Sequence, residues 1–170
     1  FYESLIERCD RATTRVTLSA LYWGTGPLAL NLAEAVARAA NRGVTVNVTL
    51  DAARAGRRDG DGRTSVDALA AVEEAGGDIH LVDASGRSGL IGEILGVYHA
   101  KACVFDDATL LTGANLSEEY FRSRQDRYVV VRDTKVADWY DRAVRAAAAA
   151  PDAGERARAL RELCTGPAPA

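Results

Sequence analysis

Lysine is scarce in this chain of 170 residues: of 21 basic side chains only Lys101 and Lys135 are Lys, the rest being Arg. Methionine is missing and there are two His. The net charge of −3 is too small to argue for a general nucleic-acid or membrane-surface binder, and no nucleic-acid partner is expected. No apolar run approaches the roughly 20 residues that cross a bilayer. Cys9, Cys103 and Cys164 are odd in number, far apart and without metal-ligand spacing. They read as thiols of a reducing compartment, neither a disulfide framework nor a zinc site. With no Met and Phe1 in first place, a piece of a longer polypeptide is expected, so the lack of a leader segment carries no information.

What is present suffices for one domain with a real core, since 48% of residues are hydrophobic. Phe1, Leu5, Ile6 and Cys9 share a helical face. "RVTLSAL" (15–21) reads as a strand. "WGTGP" turns into a helix reaching about Ala40, with Thr25 or Gly26 as its cap and Pro27 in its first turn. "VTVNVTLD" (44–51) alternates as a strand does. After a polar loop, a helix is expected from Ser65 to Ala75, then a strand at 78–83. The Gly-broken stretch 84–96 has no regular pattern. A hairpin, a helical turn from Ser117, a strand at 127–132 and a helix from Lys135 to about Ala149 follow. Helix and strand alternate throughout, which gives an α/β class: a mixed β-sheet with helices on both faces.

The segment "YHAKACVFDDATLLTGAN" (98–115) is built for burial except at His99 and Lys101. With Asp106, Asp107 and Ala108 as a three-residue loop, Lys101 lies opposite Gly113 and His99 opposite Asn115. All four then project to one face, with His99 and Lys101 roughly 7 Å apart along the strand. Gly113 leaves space for a ligand, and Ala100 and Ala102 are small enough to lie close beneath a helix. A core histidine beside a snorkelling Lys is the plain alternative. A Lys at +2 and an Asp at +7 of a His arise by chance at a rate of roughly 0.002 in this composition, which weighs against it.

"HAKACVFD" resembles the HxKxxxxD motif of the phospholipase D superfamily, and "TGAN" stands where that motif has Gly-Ser-x-Asn, one residue early. "LYWGTGPL", "VTLDAAR" and "SRQDRYVVV" extend the resemblance to the first half of the eukaryotic phosphatidylglycerophosphate synthases. The resemblance implies a phospholipase D-like fold with one HKD half in residues 1–150. Residues 151–170 would be a helical segment and linker toward a second half.

It also implies transfer of phosphatidyl from CDP-diacylglycerol to glycerol 3-phosphate, through a phosphohistidine on His99. Lys101 and Asn115 would bind the phosphate oxygens. Asp126 would hold the second ring nitrogen of His99, unless it merely pairs with Arg124 or Arg127. Asp106, the Asp of the motif, is assigned mainly to holding the hairpin tip. No cofactor or metal is implied. A single His cannot readily serve as both nucleophile and proton donor to CMP, and His80 lacks a Lys two residues on. The partner must come from a second HKD half, in the same polypeptide or a second copy. A mitochondrial, inner-membrane-associated setting follows from the same resemblance.

Other features stay two-sided. Arg54 and Arg63 either bind the pyrophosphate or glycerol phosphate or belong to a solvated loop. "GTGP" reads as a plain turn and cap in preference to an anion site. Leu90, Ile91, Ile94 and Leu95 either meet acyl chains at a membrane surface or pack as a loop. Competing functions are a homodimeric phospholipase D-like phosphodiesterase or nuclease, and a non-catalytic HKD-fold half.

Overall fold

The computed structural model describes residues 1–84 and 97–165. The chain runs through α1 (Tyr2–Arg11), β1 (Arg15–Ser19), α2 (Pro27–Asn41), β2 (Thr45–Asp51) and α3 (Ala52–Ala55). α4 (Ser65–Ala68), α5 (Ala70–Glu74) and β3 (Asp78–Val82) follow, then β4 (Ala102–Phe105), β5 (Ala108–Leu111) and α6 (Glu118–Arg122). β6 (Val129–Arg132), α7 (Thr134–Ala149) and α8 (Ala153–Thr165) complete it. The stretch 85–96, with the apolar residues weighed above for membrane contact, lies outside the described residues, as do 166–170.

Among the described residues the sheet has the order β3-β2-β1-β4-β5-β6. β1, β2 and β3 are parallel, and β4, β5 and β6 continue the sheet antiparallel. Val16 and Leu18 pair with Val46 and Val48 and share one core with Leu5 of α1, Leu32 of α2 and Val72 of α5. The polar alternates of these strands are buried too, because α7 covers the second face. There the Thr17 hydroxyl donates to Asp141 of α7, and Thr49 donates to Asn47 at 3.1 Å. The alternation that suggests a wet face thus marks a polar, hydrogen-bonded layer under a helix.

Several boundaries differ from the sequence expectation. The helix expected from Ser65 to Ala75 divides at Leu69, which sinks to 1% exposure while its N–H reaches both Ser65 and Val66 carbonyls. α2 starts after Gly26 with no side-chain cap of its own. The hairpin closes in two residues: Phe105 pairs with Ala108, and Cys103 with Leu110. Asp106 takes a left-handed φ of 50°, which Asp tolerates, and its carboxylate accepts from the N–H groups of Thr13, Thr14 and Arg15. This clamp tightens the turn and moves the ladder by one residue. Gly113 is therefore not opposite Lys101, nor Asn115 opposite His99.

Candidate active site

Parallel strands gather ligands beyond their carboxyl ends, and that end of this sheet is where the chemistry-bearing residues meet. Residues 98–101 run into β4 and are stapled to the ends of β1 and β2. The Ser19 hydroxyl donates to the Ala100 carbonyl at 2.9 Å, so it accepts from the Tyr98 phenol at 2.8 Å. Buried Asp51, the last residue of β2, accepts from the Tyr98 N–H at 2.7 Å. Tyr98 is thereby drawn inward and its neighbour His99 is turned out to solvent. Lys101, two residues on, follows the imidazole, and its Nζ lies 2.9 Å from Nε2. It also lies 3.3 Å from Nδ1, so the ammonium, which only donates, reaches both ring nitrogens with Nε2 the nearer.

Asn115 reaches the same end from beyond β5. Its Oδ1 accepts from the Leu21 N–H at 3.2 Å, and the side chain is buried. That bond orients the carboxamide with Nδ2 as its donating end. Desolvation, then the Lys101 and Arg54 charges, hold the His99 pKa below its ordinary value against a smaller opposite pull from Asp51. Desolvation also lowers the Lys101 pKa, and the Asp126 charge counters it. A neutral imidazole, an adjacent cation and an amide donor are the parts that phosphoryl transfer without a metal requires.

A family model described as cardiolipin synthase, PLD-like domain, matches residues 5–147. The chain belongs to this PLD-like family. The resemblance and the fold class inferred from "HAKACVFD" are borne out. A probable CDP-diacylglycerol–glycerol-3-phosphate 3-phosphatidyltransferase of Dictyostelium discoideum is 34% identical over 153 residues, covering 82% of this chain and 26% of that protein. A mitochondrial protein of that transferase name from Cricetulus griseus is 31% identical over 157 residues, with coverage of 82% and 28%. The chain spans about a quarter of the length of these curated relatives. Among solved structures, the phosphatidylserine synthase of Haemophilus influenzae Rd KW20 superposes with a TM-score of 0.75 at 21% identity, covering 98% of this chain and 42% of that one. Nuc of Salmonella typhimurium, a phospholipase D family member, gives 0.59 at 21% identity, with 81% and 80% covered. These two likenesses concern the fold.

The remaining candidates divide by position in this PLD-like unit. Arg54 lies with its guanidinium 5.8 Å from the Tyr22 ring centroid, and its charge is felt at His99. Arg63 is latched elsewhere, to the Thr25 carbonyl and the Asp61 carboxylate at 2.9 Å each. Asp106 sits at the opposite end of β4, roughly 20 Å from His99 along an extended chain. Partial burial acts to raise its pKa, but the donors of Arg15, Thr14 and Thr13 prevail and hold it at about 2. The Asp126 carboxylate accepts from Gly113 N–H at 3.3 Å and from Arg127 N–H at 2.6 Å. Among the described residues His99 donates no hydrogen bond to Asp126. The space at Gly113 faces that carboxylate: a Cβ there would lie 3.0 Å from Oδ2. In "GTGP", the Leu28 N–H of α2 is taken by Glu118 at 2.9 Å, so a carboxylate of the protein fills the turn.

Sequence reasoning passed over Asp51, Ser19 and Tyr98, which hold the segment that presents His99. The signal available was a buried strand ending in Asp, and a Tyr directly before the His.

Proposed function

We propose that this chain is one catalytic half of a phosphatidyltransferase that moves phosphatidyl from CDP-diacylglycerol to glycerol 3-phosphate, releasing CMP. What carries the reading is an exposed imidazole with an ammonium 2.9 Å from its Nε2. The transferase names of relatives at 31–34% identity support the choice of substrates, and the mitochondrial name of one of them supports a mitochondrial setting. Among the described residues no helix is long and apolar enough to cross a membrane.

In this mechanism the phosphoryl group takes the place of the Lys101 ammonium on Nε2 of His99. The Nε2 lone pair attacks phosphorus, an N–P bond forms, and the P–O bond to CMP breaks with its electron pair on the CMP phosphate. A hydroxyl of glycerol 3-phosphate then attacks the same phosphorus; the new O–P bond forms as N–P breaks and the pair returns to His99. The hydroxyl proton passes to a base. Lys101 and the Nδ2 of Asn115 hold the non-bridging oxygens, where charge grows in the transition state. Arg54 adds positive field on the same side. His99 is occupied as nucleophile, so a second HKD half, of the same polypeptide or of a second copy, supplies the base and the acid for CMP.

The test is to incubate the whole polypeptide with labelled CDP-diacylglycerol and quench with base, under which phosphohistidine survives. A lipid phosphate on His99, absent in His99→Ala, and CMP release coupled to phosphatidylglycerophosphate are expected. Phosphatidic acid formed with water as acceptor, whether or not glycerol 3-phosphate is present, would replace this reading with a homodimeric phosphodiesterase. No CMP from any mixture would leave a non-catalytic half.

A further inference from the structure

The second face of the 98–102 segment does not pack flush against a helix. Ala100 and Ala102, expected to lie close beneath one, face Ala143 and Trp139 of α7, with Leu160 of α8 beside them, across a cavity of about 260 Å³. α8 is fixed over it by the Trp139 indole N–H, which donates to the Leu163 carbonyl at 3.3 Å, and by buried Arg156, which bonds the Ala147 and Asp83 carbonyls. The walls are almost entirely carbon, so water there would find few partners. Lys101 lines this cavity as well as touching His99.

We propose that this cavity holds the first part of one acyl chain of the lipid whose phosphate sits at His99 and Lys101, an inference that rests on the phosphatidyl-transfer reading above. Lys101 suits the boundary, with an apolar stem along the cavity and a charged head at the phosphate. Trp139 and Tyr140, both half-buried at the cavity, are residue types that favour the border between water and lipid. At about 30 Å³ for a group the size of water, the space admits roughly nine methylenes. That is part of a long chain, the rest staying in the membrane. Four alanines across the gap, Ala100, Ala102, Ala143 and Ala147, keep it open where larger residues would close it. The substrate is thereby drawn from the bilayer by an apolar slot and by the phosphate site together. A preference for lipid diphosphates over free nucleotide diphosphates follows.

The test uses the whole polypeptide with CDP-diacylglycerol brominated in the proximal half of one acyl chain. Bromine quenches an indole it touches, so emission should fall on binding, and the fall should shrink in Trp139→Phe. Vesicles of brominated phosphatidylcholine without CDP-diacylglycerol are the control: equal quenching there means that Trp139 merely dips into the membrane, and overturns the proposal. Independently, Ala143→Leu should raise KM for long-chain CDP-diacylglycerol about tenfold and leave KM for the dibutanoyl analogue unchanged. Equal effects on both substrates, or none, overturn it as well. If Ala143→Leu does not fold, the Trp139 comparison decides alone. Failure of unsubstituted enzyme to turn over CDP-diacylglycerol, with Trp139 still quenched, removes the transferase reading and keeps the acyl site.

Discussion

The Asp51 carboxylate lies 2.7 Å from the backbone N–H of Tyr98 and so ties the end of a parallel strand to the residue before His99. Its other oxygen accepts from the Arg54 N–H at 2.9 Å and starts α3. One buried side chain therefore ties down both the segment that carries the imidazole and the backbone of Arg54, whose charge adds to desolvation and Lys101 in lowering the His99 pKa.

Asp51→Asn should separate positioning from binding. A carboxamide has one acceptor oxygen for two N–H donors, so one bond is lost and an N–H faces an N–H. We expect kcat to fall about 10–100-fold, the scale seen when outer partners of a reactive ligand are removed. KM should change little. The unfolding free energy should drop by about 1–3 kcal/mol for the unsatisfied buried donor. Steady-state kinetics beside urea denaturation separates the two effects; unchanged kcat with lost stability would reduce Asp51 to a structural cap.

The pH profile tests the state of His99. Only the neutral ring attacks, and its pKa is held below the ordinary 6.5. The acid limb of kcat/KM should therefore lie below pH 6.5. Lys101→Met keeps an apolar stem and removes the neighbouring charge, so the ring becomes easier to protonate and the limb moves up in pH. The maximal rate should also fall by about 10²–10³, as expected when a charge on the transition state is removed. A limb that stays in place in this variant would mean that His99 is not the titrating nucleophile.

Much of this architecture is written locally. The alternation of Val44 to Leu50, the Pro27 start of α2 and the Asp133 cap of α7, which accepts from Lys135 and Val136 N–H, are short-range physics. So is the His99–Lys101 pair, because side chains two apart on an extended segment share a face. What the sequence does not disclose is long-range. The two-residue turn exists because Asp106 reaches residues 13–15, more than ninety positions away, and a register read from the hairpin alone comes out one residue off. The polar layer of Thr17, Asn47 and Thr49 is likewise long-range: Asp141 of α7 takes the Thr17 hydroxyl, which periodicity along a strand cannot reveal.

Asp106 predicts a stability change with a definite sign. Its carboxyl has a pKa of about 2 in the fold against 3.8 unperturbed. A depressed folded pKa means stabilisation that is complete above the unfolded value and is lost as pH falls toward 2. The charge-dependent part is about 1–2 kcal/mol after allowing for solvent screening. Asn tolerates the left-handed φ, so Asp106→Asn removes the charge without backbone strain, and with its single acceptor oxygen it also gives up the bond from Thr13 N–H. Urea titrations should show it less stable than the parent by at least that amount near neutral pH. The gap should narrow between pH 4 and 2, and a gap independent of pH would assign the effect to lost hydrogen bonds alone.

Asp126 and Gly113 give the opposite limb. Desolvation lowers the Lys101 pKa and the Asp126 charge raises it. Asp126→Asn removes the opposing influence, so the ammonium loses its proton at lower pH and the alkaline limb of kcat/KM moves down. Gly113→Ala should act in the same direction without touching a charge, because its Cβ would meet Oδ2 at 3.0 Å and Oδ1 at 3.3 Å. The carboxylate must then withdraw from the Gly113 N–H that holds it at 3.3 Å. The acid limb, set by His99, should shift less than the alkaline one in both variants. An alkaline limb that ignores both substitutions would show that Asp126 does not act through Lys101, and its closeness to Gly113 would then be a matter of loop packing.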